Sequence, residues 1–204
     1  AREYGADGVV FGLLTPDGEV DETRTAQLVR EAEGMEVTFH RAFDMTRDSR
    51  QALEAVIRTG CRRVLTSGGR NTAQEGIETL RALAAQATGR IEIMAGSGVG
   101  PSNARLLAAT GVDALHFSAR RERESGMRFR NPQVSMGGCA GVPEYTLTDA
   151  DESVVQQILT ELGRRRRFGH RMPRHPGRKR LTARRKRLRG GLRRVYPSSE
   201  TNAP

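Results

Sequence analysis

Gly8-Val-Val-Phe-Gly-Leu-Leu14 decides the fold of this 204-residue chain. A near-continuous apolar run of this kind marks a strand covered on both faces, as in parallel sheets. Four more strand-like runs follow: Met35-Glu-Val-Thr-Phe-His40, Arg63-Val-Leu-Thr-Ser67, Ile91-Glu-Ile-Met-Ala95 and Asp113-Ala-Leu-His-Phe-Ser118. Their starts recur about every 27 residues, with a shorter last step, the period of repeated β/α units. Helical patterns fill the gaps. Residues 21–33 open on Asp21 and stop before Gly34. Residues 48–59 open on Asp48 or Ser49 and stop at Gly60, and residues 72–88 stop at Gly89. A further helix begins near Pro101 and ends at Gly111. An acceptable start and a glycine just past the end recur each time.

Five strand–helix alternations predict an α/β fold with an all-parallel sheet. A doubly wound sheet would carry a glycine-rich nucleotide turn after its first strand, and none follows residues 8–14. The better fit is a TIM (β/α)8-type barrel, incomplete, with about five β/α units present. Three further units, roughly 80 residues, are expected ahead of Ala1, so the chain reads as part of something longer. Residues 151–162 predict a last helix, with Val154, Val155, Ile158, Leu159 and Leu162 as one apolar stripe.

Charge divides the chain. Residues 164–204 hold 16 Lys/Arg and one acid, while residues 1–163 hold 18 basic and 23 acidic side chains. A mildly acidic body, residues 1–162, therefore precedes an Arg-rich low-complexity tail, residues 163–204, expected to be disordered because like charges repel and little is apolar. Such a tail has three readings: contact with nucleic acid through counterion release, a nuclear localisation signal, or an unselected or misread-frame extension. No apolar run approaches the roughly 20 residues that span a bilayer, and no leader pattern opens the chain. Two cysteines, Cys61 and Cys139, cannot frame a disulfide scaffold. A cytoplasmic location is expected, or a nuclear one through the tail.

In a β/α barrel the chemistry sits at the C-terminal ends of strands. Alternation turns Thr38, His40, Glu92, Met94, His116 and Ser118 inward. His40 and His116 are the only histidines of the body, candidates for acid/base work or metal ligation, or else core imidazoles bonded to neighbours. Arg41 would hold an anion, with Asp44 orienting Arg41 or His40; the alternative is an Arg–Asp pair stitching a loop to the rim. Gly96-Ser97-Gly98 lets backbone N–H groups approach a phosphate, and Thr66-Ser67-Gly-Gly69 is a weaker version. If the strand near 113 is the eighth, the loop at 96–98 follows the seventh, a common phosphate position. Cys61 precedes its strand and is expected to be a buried structural thiol. Cys139 follows the last strand, near Met127 and Met136, where soft sulfur would suit Cu(I), although the spacing matches no metal motif. The body has no lysine, so Schiff-base chemistry has no nucleophile on these strands.

These residues carry a resemblance. The stretches at 8–18, 37–45 (Val-Thr-Phe-His-Arg-Ala-Phe-Asp-Met), 63–68, 93–99 (Ile-Met-Ala-Gly-Ser-Gly-Val), 116–120 and 127–131 resemble, in order and spacing, the CutC family of copper homeostasis proteins over about residues 3–162. The resemblance implies a cytosolic β/α barrel, homo-oligomeric at full length, linked to copper tolerance and trafficking, with Cu(I) as the implied cargo. The cysteines proposed as copper ligands in relatives fall in the part that precedes this chain. His40, Arg41, Asp44, Ser67, His116 and Ser118 carry over as pocket residues. Three readings of function follow: copper homeostasis with Cu(I) binding, a barrel enzyme acting on a phosphorylated or carboxylated small molecule, or nucleic-acid contact through the basic tail.

Overall fold

The computed structural model describes residues 1–134 and 144–163. Five strands form one parallel sheet: β1 (Gly8–Phe11), β2 (Glu36–Phe39), β3 (Arg63–Thr66), β4 (Glu92–Gly96) and β5 (Ala114–His116). Their order in the sheet is their order in the chain. A doubly wound sheet reverses direction at a switch point; this one never does. With right-handed crossovers, unreversed order puts every connecting helix on one face, which is how a barrel wall is wound.

Those helices are α1 (Glu22–Glu31), α2 (Ser49–Thr59), α3 (Ile77–Ala87) and α4 (Ala104–Ala108). Local chemistry sets their ends. Asp21 accepts the Arg24 N–H at the start of α1, and Asp48 accepts those of Arg50 and Gln51 at the start of α2. Gly60 closes α2 at φ 86°, a left-handed value that a side chain would strain. The core lies between sheet and helices, with Val37, Phe39, Val64 and Ile93 of the strands against Leu53 and Val56 of α2. A second cluster joins Ala95, Leu80 and Leu107.

The opposite face is the inner one. It carries Val10, Thr38, His40, Leu65, Met94, Ala114 and His116, as alternation requires. Val10 is 62% exposed there. Toward the N-terminal ends of the strands, Arg63 bridges Glu92 at 2.5 Å and Glu36 at 3.7 Å, and Arg62 reaches Glu92 at 2.7 Å. Cys61 is buried at that same end, with the Thr59 hydroxyl donating to its sulfur.

The expected elements are present, with differences in extent. The helix expected from residue 72 begins at Ile77, because residues 72–76 form a turn pressed against the β3 loop: a Cβ on Gly76 would lie 1.9 Å from the Ser67 carbonyl oxygen. The helix near Pro101 shortens to five residues because the Asn103 side chain binds the Gly98 carbonyl and the Gly100 N–H instead of capping a turn. A two-stranded antiparallel ribbon, β6 (Arg120–Glu124) with β7 (Thr146–Ala150), was not foreseen. All of β6 is exposed and charged, so no apolar alternation announces it. Arg130 lies 4.2 Å over the Tyr145 ring beside this ribbon. The last helix, α5 (Glu152–Glu161), buries Ile158. The Arg-rich tail beyond Gly163 and Cys139 lie outside the described residues.

Candidate functional site

The C-terminal ends of β2 and β3 meet in one hydrogen-bonded cluster. After Phe39 the chain turns into a single 3-10 stretch, Arg41–Met45, started by His40. That tight turn brings Asp44 back toward the ends of β3. Its carboxylate accepts the Thr66 hydroxyl at 2.5 Å, the Ser67 N–H at 3.0 Å, the Gly69 N–H at 3.0 Å and the Arg41 Nε–H at 2.7 Å. Burial pushes the Asp44 carboxyl upward, yet the bonds from Thr66, Arg41, Gly69 and Ser67 outweigh it and hold the group below its ordinary value.

Arg41 is fixed on one edge. Beyond the Asp44 contact, its Nη2 donates to Ser67 Oγ at 2.9 Å and to the Arg70 carbonyl at 3.3 Å. The single Ser67 hydroxyl hydrogen lies within reach of the Arg70 carbonyl (2.5 Å) and the Asp44 carboxylate (3.0 Å). Nη1 of Arg41 has no partner among the described residues, and the side chain is 41% exposed. The loop-stitching pair and the cation offered to the mouth are therefore the same residues: Asp44 holds one edge, and the other edge faces out.

His40 sits beside this cluster. Its Nδ1 accepts the Ala42 N–H at 3.2 Å. Its ring lies against Gly12, where an added Cβ would come 2.8 Å from Nδ1 and 2.9 Å from Phe39. On the other side of the mouth, His116 lies beside Gly96, at whose position a Cβ would meet Leu65 Cδ1 at 2.6 Å and His116 Cβ at 3.3 Å. Ser97 has φ 83°, a strained value for a residue with a side chain. It is held there by its hydroxyl donating to the Asn71 carbonyl and by its own carbonyl accepting the Ala73 N–H. Gly98 follows at φ 67° against Thr72.

The sequence-predicted residues thus fall into groups. Arg41, Asp44 and Ser67 touch one another; His40 adjoins them in the chain; Gly96 and His116 form a second neighbourhood, and Ser118 is exposed after β5. Among the described residues no hydrogen bond joins His116 or Ser118 to the Arg41 cluster. Thr66 and Gly69, read from sequence as a weaker phosphate loop, instead donate to the Asp44 carboxylate, while Asn103, to which the sequence assigned no role, pins the Gly98–Gly100 loop. Among the described residues no three His, Cys, Asp or Glu side chains gather as a metal centre. Burial pushes the Cys61 thiol up, with the Thr59 hydrogen bond opposing, and the residue lies at the far end of the sheet. A polar groove of about 390 Å³ lies outside the wall, lined by Val20, Arg47, Asp48, Ala52, Ala55 and Arg58. It contains none of the candidates.

A sequentially ordered parallel sheet, helices on one face and polar chemistry gathered where the strands end define a β/α-barrel protein. Within that class the chain belongs to the CutC family, whose model matches residues 1–121. A protein of Bacteroides thetaiotaomicron named "family protein CutC" is 51% identical over 163 residues, 79% of this chain and 64% of the relative. The human "Copper homeostasis protein cutC homolog" is 44% identical over 159 residues, 78% of this chain and 58% of the relative. The crystal structure of CutC from Streptococcus agalactiae superposes with a TM-score of 0.54 at 32% identity, over 56% of this chain and 57% of that one. The chain thus spans somewhat under two thirds of the length of the curated relatives it matches.

Proposed function

We propose that this chain supplies most of the barrel of a copper homeostasis protein and that the whole protein handles Cu(I) as its cargo. The observation carrying this reading is the 44% identity, over 159 residues, to the human protein named for copper homeostasis. The described residues offer no ready three-ligand cluster, and Cys61 is turned away from the mouth. Cu(I) prefers few, soft ligands, and Cys139 is the remaining thiol of the chain. A competition titration of the full-length protein with a Cu(I) chelator is expected to show stoichiometric copper, weakened by Cys139→Ser. Absence of stoichiometric copper removes the binding part. The same reading has the full-length protein cytoplasmic and homo-oligomeric, which cell fractionation and light scattering test.

A second reading rests on one geometric feature, the open edge of Arg41. Its guanidinium is locked by Asp44 and Ser67 while Nη1 is free for a ligand oxygen. A fixed planar cation at a barrel mouth suits a carboxylate or phosphate. Inorganic phosphate and acetate are the probes. Binding lost in Arg41→Lys and kept in wild type supports this reading; no binding of either by wild type ends it.

A further inference from the structure

The imidazole of His40 enters the mouth as a hydrogen-bond donor, and this follows from where its other nitrogen is committed. Nδ1 accepts the Ala42 N–H at 3.2 Å and thereby starts the 3-10 turn that delivers Arg41 and Asp44. A neutral imidazole has one nitrogen that accepts and one that carries hydrogen. With Nδ1 accepting, the hydrogen is on Nε2. Rotation does not offer an easy exchange, because the ring rests against Gly12 and edge-on to Phe39, with centroids 6.1 Å apart. Nε2 has no partner among the described residues, and the side chain is only half-buried.

We propose that His40 donates its Nε2–H to an acceptor oxygen of the ligand held by Arg41, and that it is not a copper ligand. A metal would need the lone pair of Nε2, and freeing it means moving the hydrogen to Nδ1 and breaking the contact with Ala42. That contact is also what begins the turn carrying Arg41 and Asp44, so metal binding at His40 would loosen the oxyanion site. The ligand chemistry is an oxyanion or a carbonyl beside one, met by a charged donor from Arg41 and a neutral donor from His40. This inference rests on the second reading above and adds a second residue and a stated tautomer to it.

The test uses the full-length protein, labelled with 15N, and its His40→Asn variant. Asparagine can still accept the Ala42 N–H, as at any helix start, but has no donor at the Nε2 position. Long-range 15N–1H correlation is expected to show hydrogen on Nε2 and a bare Nδ1; the reverse pattern overturns the proposal. Silver(I), used in place of Cu(I), is expected to leave the His40 ring signals and the Ala42 amide unmoved, and a silver-bound Nε2 overturns it. Inorganic phosphate and acetate are expected to shift the Nε2–H signal. His40→Asn should weaken whichever probe binds by about three- to tenfold, the contribution of one neutral hydrogen bond. Wild-type binding that Arg41→Lys abolishes but His40→Asn leaves unchanged keeps the anion reading and sinks this inference. Absence of binding to wild type ends both.

Discussion

The Arg41 Nε–H donates to the Asp44 carboxylate at 2.7 Å while Asp44 itself is almost sealed from solvent, at 6% side-chain exposure against 41% for Arg41. One residue anchors and the other reaches out. The Thr66 hydroxyl and the Ser67 and Gly69 N–H groups that also donate to Asp44 come from the end of β3 and the residues just after it, so a single carboxylate joins two β/α units at the rim.

Asp44→Ala is therefore expected to destabilise the fold by about 3 kcal/mol, since it strips the partner from several buried donors and leaves Arg41 unpaired. Urea titration followed by circular dichroism measures this. Asp44→Asn should cost less, because the amide oxygen still accepts.

Acid should weaken the fold in a defined window. Asp44 is held below its ordinary value of 3.8, and Glu54, bonded first by Arg90 and then by Gln86, falls from 4.5 to about 2. Both carboxylates bind protons more readily in the unfolded chain, so their stabilisation is complete above pH 4.5 and is lost as pH falls toward 2. Melting temperature across this range should drop, and Asp44→Asn should flatten part of the drop.

Gly12→Ala is expected to disturb His40 before it disturbs the sheet. The new methyl would stand 2.8 Å from Nδ1 and 2.9 Å from Phe39, and overpacking of this kind costs about 1–3 kcal/mol. The Ala42 amide resonance should shift strongly, since its acceptor is displaced.

Cys61 should alkylate slowly. It is 5% exposed, and burial pushes its thiol up, so little reactive thiolate forms near neutral pH. Iodoacetamide labelling followed by peptide mass mapping should show the Cys61 peptide modified many times faster in urea than in the native chain.

Most of the wall was legible because its signals are local and repeated. Each strand is a short apolar run, α1, α2 and α5 each open on a capping Asp, and the inward positions of Thr38, His40, Met94 and His116 follow from period two alone. Arg41, Asp44 and Ser67 were legible as polar residues at strand ends. The Arg41–Asp44 pair was legible as well; the bonds of both to Ser67 were not, because they depend on a 3-10 turn whose tightness no periodicity encodes. The β6–β7 ribbon escaped for a different reason: Arg120-Arg-Glu-Arg-Glu124 has no apolar face, and its pairing with residues 146–150 joins segments far apart in the chain. Ser97 was legible as part of a small-residue loop but its left-handed backbone was not, since that is set by Asn71 and Ala73 across the neighbouring loop.

The ion pairs of Glu36, Arg63 and Glu92 act as a caliper on the sheet. Parallel strands advance about 3.3 Å per residue, so sliding β2 or β4 past β3 by the two residues that preserve facing would carry a carboxylate well over 6 Å along its strand, far outside the reach of Arg63. A slip of one residue would turn it to the wrong side altogether. The charges at the base thereby calibrate the height at which His40 and Ser67 arrive at the rim, and a charge reversal at position 63 should be felt as misalignment at the opposite end of the strands.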